Sequence, residues 1–224
     1  MSSSRTVSIT CPSCNADSDF LIWESINTML DPEMKSAVRD RSAFLFTCPK
    51  CGAKTHIDYG FLYHQMEDRI IIHYANSDEN AREIYDLVTG KNMPDMMKDM
   101  FGDDYLTRIV RSQNQLREKL AIFDSGLDDR IIEIFKIFLL ARYQEDHPEN
   151  SGKIELLYFF DDGKHMIQVM DGDEPAGVAE LPSDFYEELK NKFAPHLPDI
   201  RKAEPFIDRQ WAIKTLKLGS KTNN

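Results

Sequence analysis

Cys11-Pro-Ser-Cys14 and Cys48-Pro-Lys-Cys51-Gly52 contain the only four cysteines of this 224-residue chain. Each is a Cys-x-x-Cys knuckle with proline directly after its first cysteine. Two such knuckles can fold together around one tetrahedral metal with four thiolates, and zinc is the metal most often held this way. Gly52 suits a turn that requires positive φ, and Asn15, at the same place in the first knuckle, tolerates that region. The 33 residues between Cys14 and Cys48 form a long insertion, which costs little if its ends meet. Iron in a rubredoxin-like site is the alternative metal. A thioredoxin-type redox pair would need one Cys-x-x-Cys at a helix start rather than two matched knuckles.

The segments around the knuckles read as strands: 6–10 before the first, 20–26 after it, 44–47 before the second, then 54–62 and 69–74. Asp31-Pro32-Glu33 starts a short helix to about Arg41, with Asp as N-cap and Pro at the first helical position. Residues 1–77 are therefore expected to form a zinc ribbon with a helical insertion between its metal-binding loops.

Residues 78–150 read as helical. A helix over 79–88 stops near Gly90. Methionines 93, 96, 97 and 100 crowd Pro94 as packing residues. Asp103 or Asp104 is expected to cap a long helix through Leu106, Ile109, Val110, Leu116, Leu120 and Phe123, whose spacing is three or four, with Ser125-Gly126 at its end. Asp128 or Asp129 caps the next helix, 130–144, apolar almost all round. Residues 147–152 are a linker. Residues 151–224 change period: strands at 154–160, 164–170 and 177–181, a hairpin turn at Asp161-Asp162-Gly163, a helix through Phe193 with Ser183 as its N-cap, a proline-rich stretch from Pro195 to Pro205, and a last strand over 209–216. A polar tail follows Gly219. The expected class is α+β: an N-terminal ribbon, a central helical pair, and a C-terminal antiparallel meander with a helix.

The formal net charge is −11, with 42 % hydrophobic and 29 % charged residues. Residues 1–77 carry 7 basic and 9 acidic groups, 78–150 carry 10 and 16, and 151–224 carry 10 and 13. No third is basic, which opposes nonspecific nucleic-acid binding. The amino terminus lacks a signal-peptide h-region, and the most apolar stretch, 131–141, is too short to span a bilayer. A cytoplasmic chain with reduced thiols is expected, without a membrane partner.

The paired Cys-Pro-x-Cys knuckles, with Arg108 through Arg130 ending Gly126-Leu-Asp-Asp-Arg130 and followed by Ile131-Ile-Glu-Ile-Phe-Lys136, resemble the bacterial CpXC family over about residues 8–140. The resemblance implies Cys11, Cys14, Cys48 and Cys51 as metal ligands. It implies no activity.

Other residues add no second centre. The six histidines form no His-x-x-x-His or His-Glu-x-x-His pair, and His56 reads as a solvent-facing strand residue. Asp171-Gly-Asp173-Glu174 lacks the remaining ligands of a calcium loop. Asp161-Asp162 reads as turn and Asp128-Asp129 as helix cap. No phosphate loop, nucleophile elbow or dinucleotide fingerprint occurs. No catalytic residue is assigned. The preferred function is a noncatalytic, zinc-stabilised module that binds a protein partner. The alternatives are a regulatory nucleic-acid-binding ribbon, favoured if Trp23, Tyr59 and Tyr63 are exposed beside Lys50 and Lys54, and an enzyme with a site in the C-terminal half.

Overall fold

The computed structural model describes residues 2–90, 104–148 and 154–221. The methionines at 93, 96, 97 and 100, Pro94, Asp103, and residues 149–152 of the linker lie outside the described residues. The fold is α+β, and the chain divides into two compact units, Met1–Leu116 and Arg117–Asn224.

In the first unit, β1 (Ser3–Thr10) and β2 (Asp17–Asn27) form an antiparallel hairpin with the first knuckle at its tip. Helix α1 (Met34–Arg39) follows, then a short antiparallel pair, β3 (Leu45–Thr47) and β4 (Lys54–His56), with the second knuckle at its tip. The expected single strand over 54–62 is two: β4 ends at His56, and β5 (Phe61–Gln65) belongs to another sheet. With β6 (Ile70–Tyr74) and β7 (Leu106–Val110), the larger sheet has the order β1-β2-β5-β6-β7. Only Ser25–Asn27 of β2 pair with β5, so among the described residues Asp17–Trp23 have β1 as their sole strand neighbour. The knuckle end of this hairpin therefore runs beyond the larger sheet as a two-stranded arm. Helix α2 (Asp78–Val88), capped by Ser77 Oγ on Asn80 N at 3.1 Å, lies between β6 and β7 in the chain.

Residues 106–110 correct the sequence expectation. They form β7, parallel to β6 with Leu106 opposite Ile70 and Val110 opposite Tyr74, rather than the start of a helix. Their apolar spacing fits either element, and pairing with β6 decides for the strand. Asp104 pairs with Arg69 at 2.8 Å instead of capping a helix. The helix, α3, runs only from Gln113 to Asp124. Ser112 Oγ accepts from Gln115 N at 3.1 Å, and Gln115 Oε1 accepts from Arg111 N at 2.8 Å. This pairing resembles a capping box, with the Gln115 side chain on the N–H one residue before the Ser112 cap, and Ser112-x-x-Gln115 was its legible signature.

In the second unit, α4 (Asp129–Asp146) is buried on every side through its first two turns, residues 129–136. Strands β8 (Ile154–Asp161), β9 (Lys164–Asp171) and β10 (Glu174–Glu180) form the expected antiparallel meander. Asp162 and Gly163, at φ 44° and 78°, make the two-residue turn between β8 and β9, as a tight hairpin of primed type requires. Helix α5 (Ser183–Phe193) begins one residue earlier than expected, with Pro182 rather than Ser183 at its N-cap. The core joins Ile122 of α3, Ile131, Ile132, Ile134 and Phe135 of α4, Leu156 and Ile167 of the sheet, and Leu189 of α5.

The last expected strand is instead helix α6 (Arg209–Lys221). Asp208 Oδ1 accepts from Trp211 N at 2.9 Å, an N-cap contact. Ala212 is buried in the core, with Trp211 and Leu216 packed against it, and the four-residue step from Ala212 to Leu216 keeps both on one helical face. The polar tail begins within this helix, since residues 219–221 are helical.

Candidate metal centre

The two knuckles adopt one conformation. In the first, Cys11 N donates to Ala16 O and Asn15 N donates to Cys11 O, each at 2.9 Å; in the second, Cys48 N donates to Ala53 O and Gly52 N to Cys48 O, again at 2.9 Å. Both turns place the residue after the second cysteine at positive φ, 54° for Asn15 and 75° for Gly52. The matching hydrogen bonds explain why a Cys-x-x-Cys repeat in two unrelated hairpins makes two equivalent donors.

The four sulfur atoms all lie within 4.8 Å of one another. Cys11 Sγ–Cys51 Sγ and Cys14 Sγ–Cys48 Sγ are both 3.7 Å apart, and all four thiols are free. A metal–sulfur distance of about 2.3 Å in a tetrahedron gives sulfur–sulfur edges of about 3.8 Å. The donor set thus fits a four-coordinate metal ion, and these four cysteines can hold one. Cys11 and Cys48 are buried beside Phe46, with Ile9, Phe20, Ala53 and Ile57 packed around them. Cys14 is half-buried and Cys51 exposed, so the centre opens to solvent on one side.

Crowded thiols resist joint ionisation. Backbone hydrogen bonding from Ser13 is the main cause that lowers the Cys11 thiol to about 6, with Cys14 N–H, Cys48 and Cys51 adding and burial opposing. Cys51 receives a backbone hydrogen bond at Ala53 that lowers it, yet Cys14, burial, Cys11 and Cys48 together push it up to about 12. A dication at the centre reverses this conflict, because it favours the thiolate form of each donor.

No other cluster of three or more histidine, cysteine or acidic donors is placed to hold a metal among the described residues. His56 lies exposed on β4, opposite Leu45, and outside the cluster. Asp171 and Glu174 face each other across the β9–β10 turn. Tyr63 is fully buried and bonded to Arg39 at 2.9 Å, Tyr59 is also buried, and Trp23 is half-buried.

Sequence reading missed a buried ion network in the second unit. Lys119 Nζ meets Asp129 Oδ2 at 2.9 Å, Glu133 Oε1 at 3.5 Å and Ile207 O at 2.7 Å. Lys136 Nζ meets Glu118 Oε1 at 2.5 Å and Glu133 Oε1 at 3.0 Å. Glu118 Oε1 also accepts from Tyr158 N of the edge strand β8 at 2.6 Å. None of the five side chains is more than 9 % exposed. The Asp128-Asp129 pair therefore divides its roles. Asp128 caps α4 through Arg130 N at 2.9 Å, while Asp129 joins the network.

Two hairpins that bring four cysteine sulfurs together at their tips define a protein with a cysteine cluster able to hold a metal ion. Residues 9–136 match the family described as CpXC protein, and the chain belongs to the CpXC family. No curated protein and no solved structure matches it. The matched span covers both knuckles and all five residues of the ion network. No helix among the described residues is long and apolar enough to cross a membrane.

Proposed function

We propose that this chain is a noncatalytic module of the bacterial cytoplasm, stabilised by one structural Zn²⁺ on Cys11, Cys14, Cys48 and Cys51, that binds a protein partner. The carrying observation is the set of four sulfurs within 4.8 Å, supplied by two knuckles of the same conformation. Four protein donors fill a tetrahedral shell, which leaves no open position for substrate or activated water. Such a site holds chain segments in place and contributes folding energy.

Elemental analysis of protein prepared without chelator is expected to give one zinc per chain. Cobalt-substituted protein is expected to show thiolate charge transfer. Less than half an equivalent of metal, or a cobalt spectrum without that band, overturns the reading. A red, iron-loaded protein turns it toward the rubredoxin-like alternative.

The protein partner is favoured over nucleic acid by the net charge of −11, which opposes phosphate backbones. Lys50 and Lys54 at the second knuckle are too few for useful phosphate affinity. A fluorescence-anisotropy titration with single- and double-stranded oligonucleotides at about 150 mM salt is expected to show no appreciable binding. Submicromolar binding that weakens in Lys50→Glu/Lys54→Glu promotes the nucleic-acid reading instead.

A further inference from the structure

The four cysteines are not equivalent toward solvent. Each 3.7 Å pair joins one buried sulfur to a more accessible sulfur of the other knuckle: Cys11 with Cys51, and Cys48 with Cys14. The close pairs therefore run across the two hairpins. Cys51 is exposed at the tip of the β3–β4 hairpin, where a small oxidant can reach it. The chain has no other cysteine, so thiol oxidation is confined to this centre.

We propose that the centre is a redox switch, in which a hydroperoxide converts the four thiolates into two crosswise disulfides, Cys11–Cys51 and Cys14–Cys48. The inference rests on the reading that the four cysteines hold a metal. A coordinated cysteine is held as the thiolate, the form that reacts with peroxide, and exposure decides which reacts first. The Cys51 thiolate attacks a peroxide oxygen: an S–O bond forms, the O–O bond breaks, and the departing alkoxide or hydroxide takes a proton from water. Cys51 is then a sulfenic acid. The Cys11 thiolate, already beside it, attacks that sulfur. An S–S bond forms, the S–O bond breaks, and hydroxide leaves to become water on protonation. Two thiolates have lost one electron each, and one peroxide has gained two. A second peroxide acts in the same way on Cys14 and Cys48, with half-buried Cys14 as the first nucleophile. With its donors consumed, the site releases its metal.

Crosswise bonds have a structural consequence that bonds within each knuckle lack. They join the tip of the β1–β2 arm to the tip of the β3–β4 hairpin, the same two segments that the metal joins. The oxidised module therefore keeps its hairpins together, and thiol reductant with zinc restores the original centre.

The test uses the full-length, metal-loaded protein, with metal content measured before oxidant is added. Hydrogen peroxide is added in excess, released zinc is followed with a chromophoric chelator, and disulfides are mapped by tryptic mass spectrometry. Cleavage after Arg5, Lys35, Arg41, Lys50 and Lys54 puts Cys11 and Cys14 in one peptide and separates Cys48 from Cys51. The expected product is an assembly of three peptides, 6–35, 42–50 and 51–54, with fragment ions that join Cys11 to Cys51 and Cys14 to Cys48. Its formation should track zinc release, and dithiothreitol should reverse it. An internal disulfide in peptide 6–35 with 42–50 linked to 51–54, a Cys11–Cys48 pairing, sulfonic acids alone, or metal retained with free thiols each overturns the switch. Protein that never carried metal fails the structural reading instead, at the first measurement. Because each cysteine is also a donor to the metal, the mapping on the unaltered, metal-loaded protein decides the question.

Discussion

Cys48→Ser is expected to abolish metal retention and unfold the knuckle hairpins, while the unit Arg117–Asn224 keeps its structure. Cys48 is a buried donor with Phe46 and Cys11 as core neighbours, so the hydroxyl loses a thiolate ligand and gains nothing. The binding free energy of a structural zinc site is about 10–16 kcal/mol and appears as folding free energy. Losing one of four donors removes several kcal/mol of it, against a total domain stability of about 5–15 kcal/mol. Apart from the metal, the knuckle end of the β1–β2 arm is held by its own pairing and by Ile9 and Phe20 packed against the small cluster around Phe46. Among the described residues, Asp17–Trp23 pair only with β1, and an isolated two-stranded hairpin is marginal in water. Leu21 is 48 % exposed on that arm, and the cluster that Ile9 and Phe20 join has only Cys11, Phe46 and Cys48 as its buried residues. The second unit has its own core, from Ile122 to Ala212. Hydrogen exchange is the measurement. Protection should vanish over residues 3–23 and 45–56 and persist in α4 and β8–β10. Loss of protection throughout residues 104–142 would show that the knuckles and the helices form one cooperative system.

The sequence was most legible where the interaction that decides a structure is local. Each knuckle closes through hydrogen bonds between residues four or five apart, such as Asn15 N to Cys11 O and Cys11 N to Ala16 O. A motif of that length carries its own geometry. The β8–β9 turn and the Asp128 cap of α4 are equally short-range, and both were readable. Leu106–Val110 failed for the opposite reason. Its strand is defined by β6, more than thirty residues earlier, and its apolar spacing favoured neither period. The two local signals that did exist, Ser112 with Gln115 and Asp208 with Trp211, are caps lying outside the apolar runs they terminate. Reading the runs before their caps misassigned β7 and α6.

The buried ions were illegible for a related reason. A charged residue on a helix is normally a solvated one, and Glu118, Lys119, Glu133 and Lys136 look ordinary in the chain. What makes them internal is their partners. Glu118 meets Tyr158 N at a separation of 40 residues, and Lys119 meets Ile207 O at 88. The bond from Glu118 also explains why an acid is useful there. β8 is an edge strand, and a buried edge N–H must find an acceptor.

Lys136→Met is expected to destabilise the second unit by about 3–5 kcal/mol, the cost of leaving buried charge uncompensated. Lys136 sits between Glu118 at 2.5 Å and Glu133 at 3.0 Å. Burial opposes its charge, and the two glutamates outweigh that and hold its pKa above the ordinary lysine value. Burial likewise holds the Glu118 carboxyl above the usual glutamate range, with Lys136 the strongest opposing influence and Glu133 pushing the same way as burial. Methionine keeps the length of the chain and removes that opposition, so Glu118 in the folded variant rises further. The folded variant then binds more protons than the unfolded chain, whose glutamates titrate near about 4.3. Stability therefore falls as pH rises through the raised folded pKa, and it recovers on acidification toward the unfolded value. The deficit relative to the unaltered protein should be largest near about pH 7 and smaller near about pH 5. Urea unfolding followed by hydrogen exchange in α4 measures both. The triple variant Glu118→Gln/Glu133→Leu/Lys136→Met separates charge from packing. It keeps an acceptor for Tyr158 N and leaves Lys119 with Asp129 and Ile207 O, so most of the lost stability should return. A single variant that costs less than about 1 kcal/mol, the scale of an exposed pair, or a deficit that grows on acidification, would mean that the three groups are solvated in solution and that the network does not hold α3 against α4.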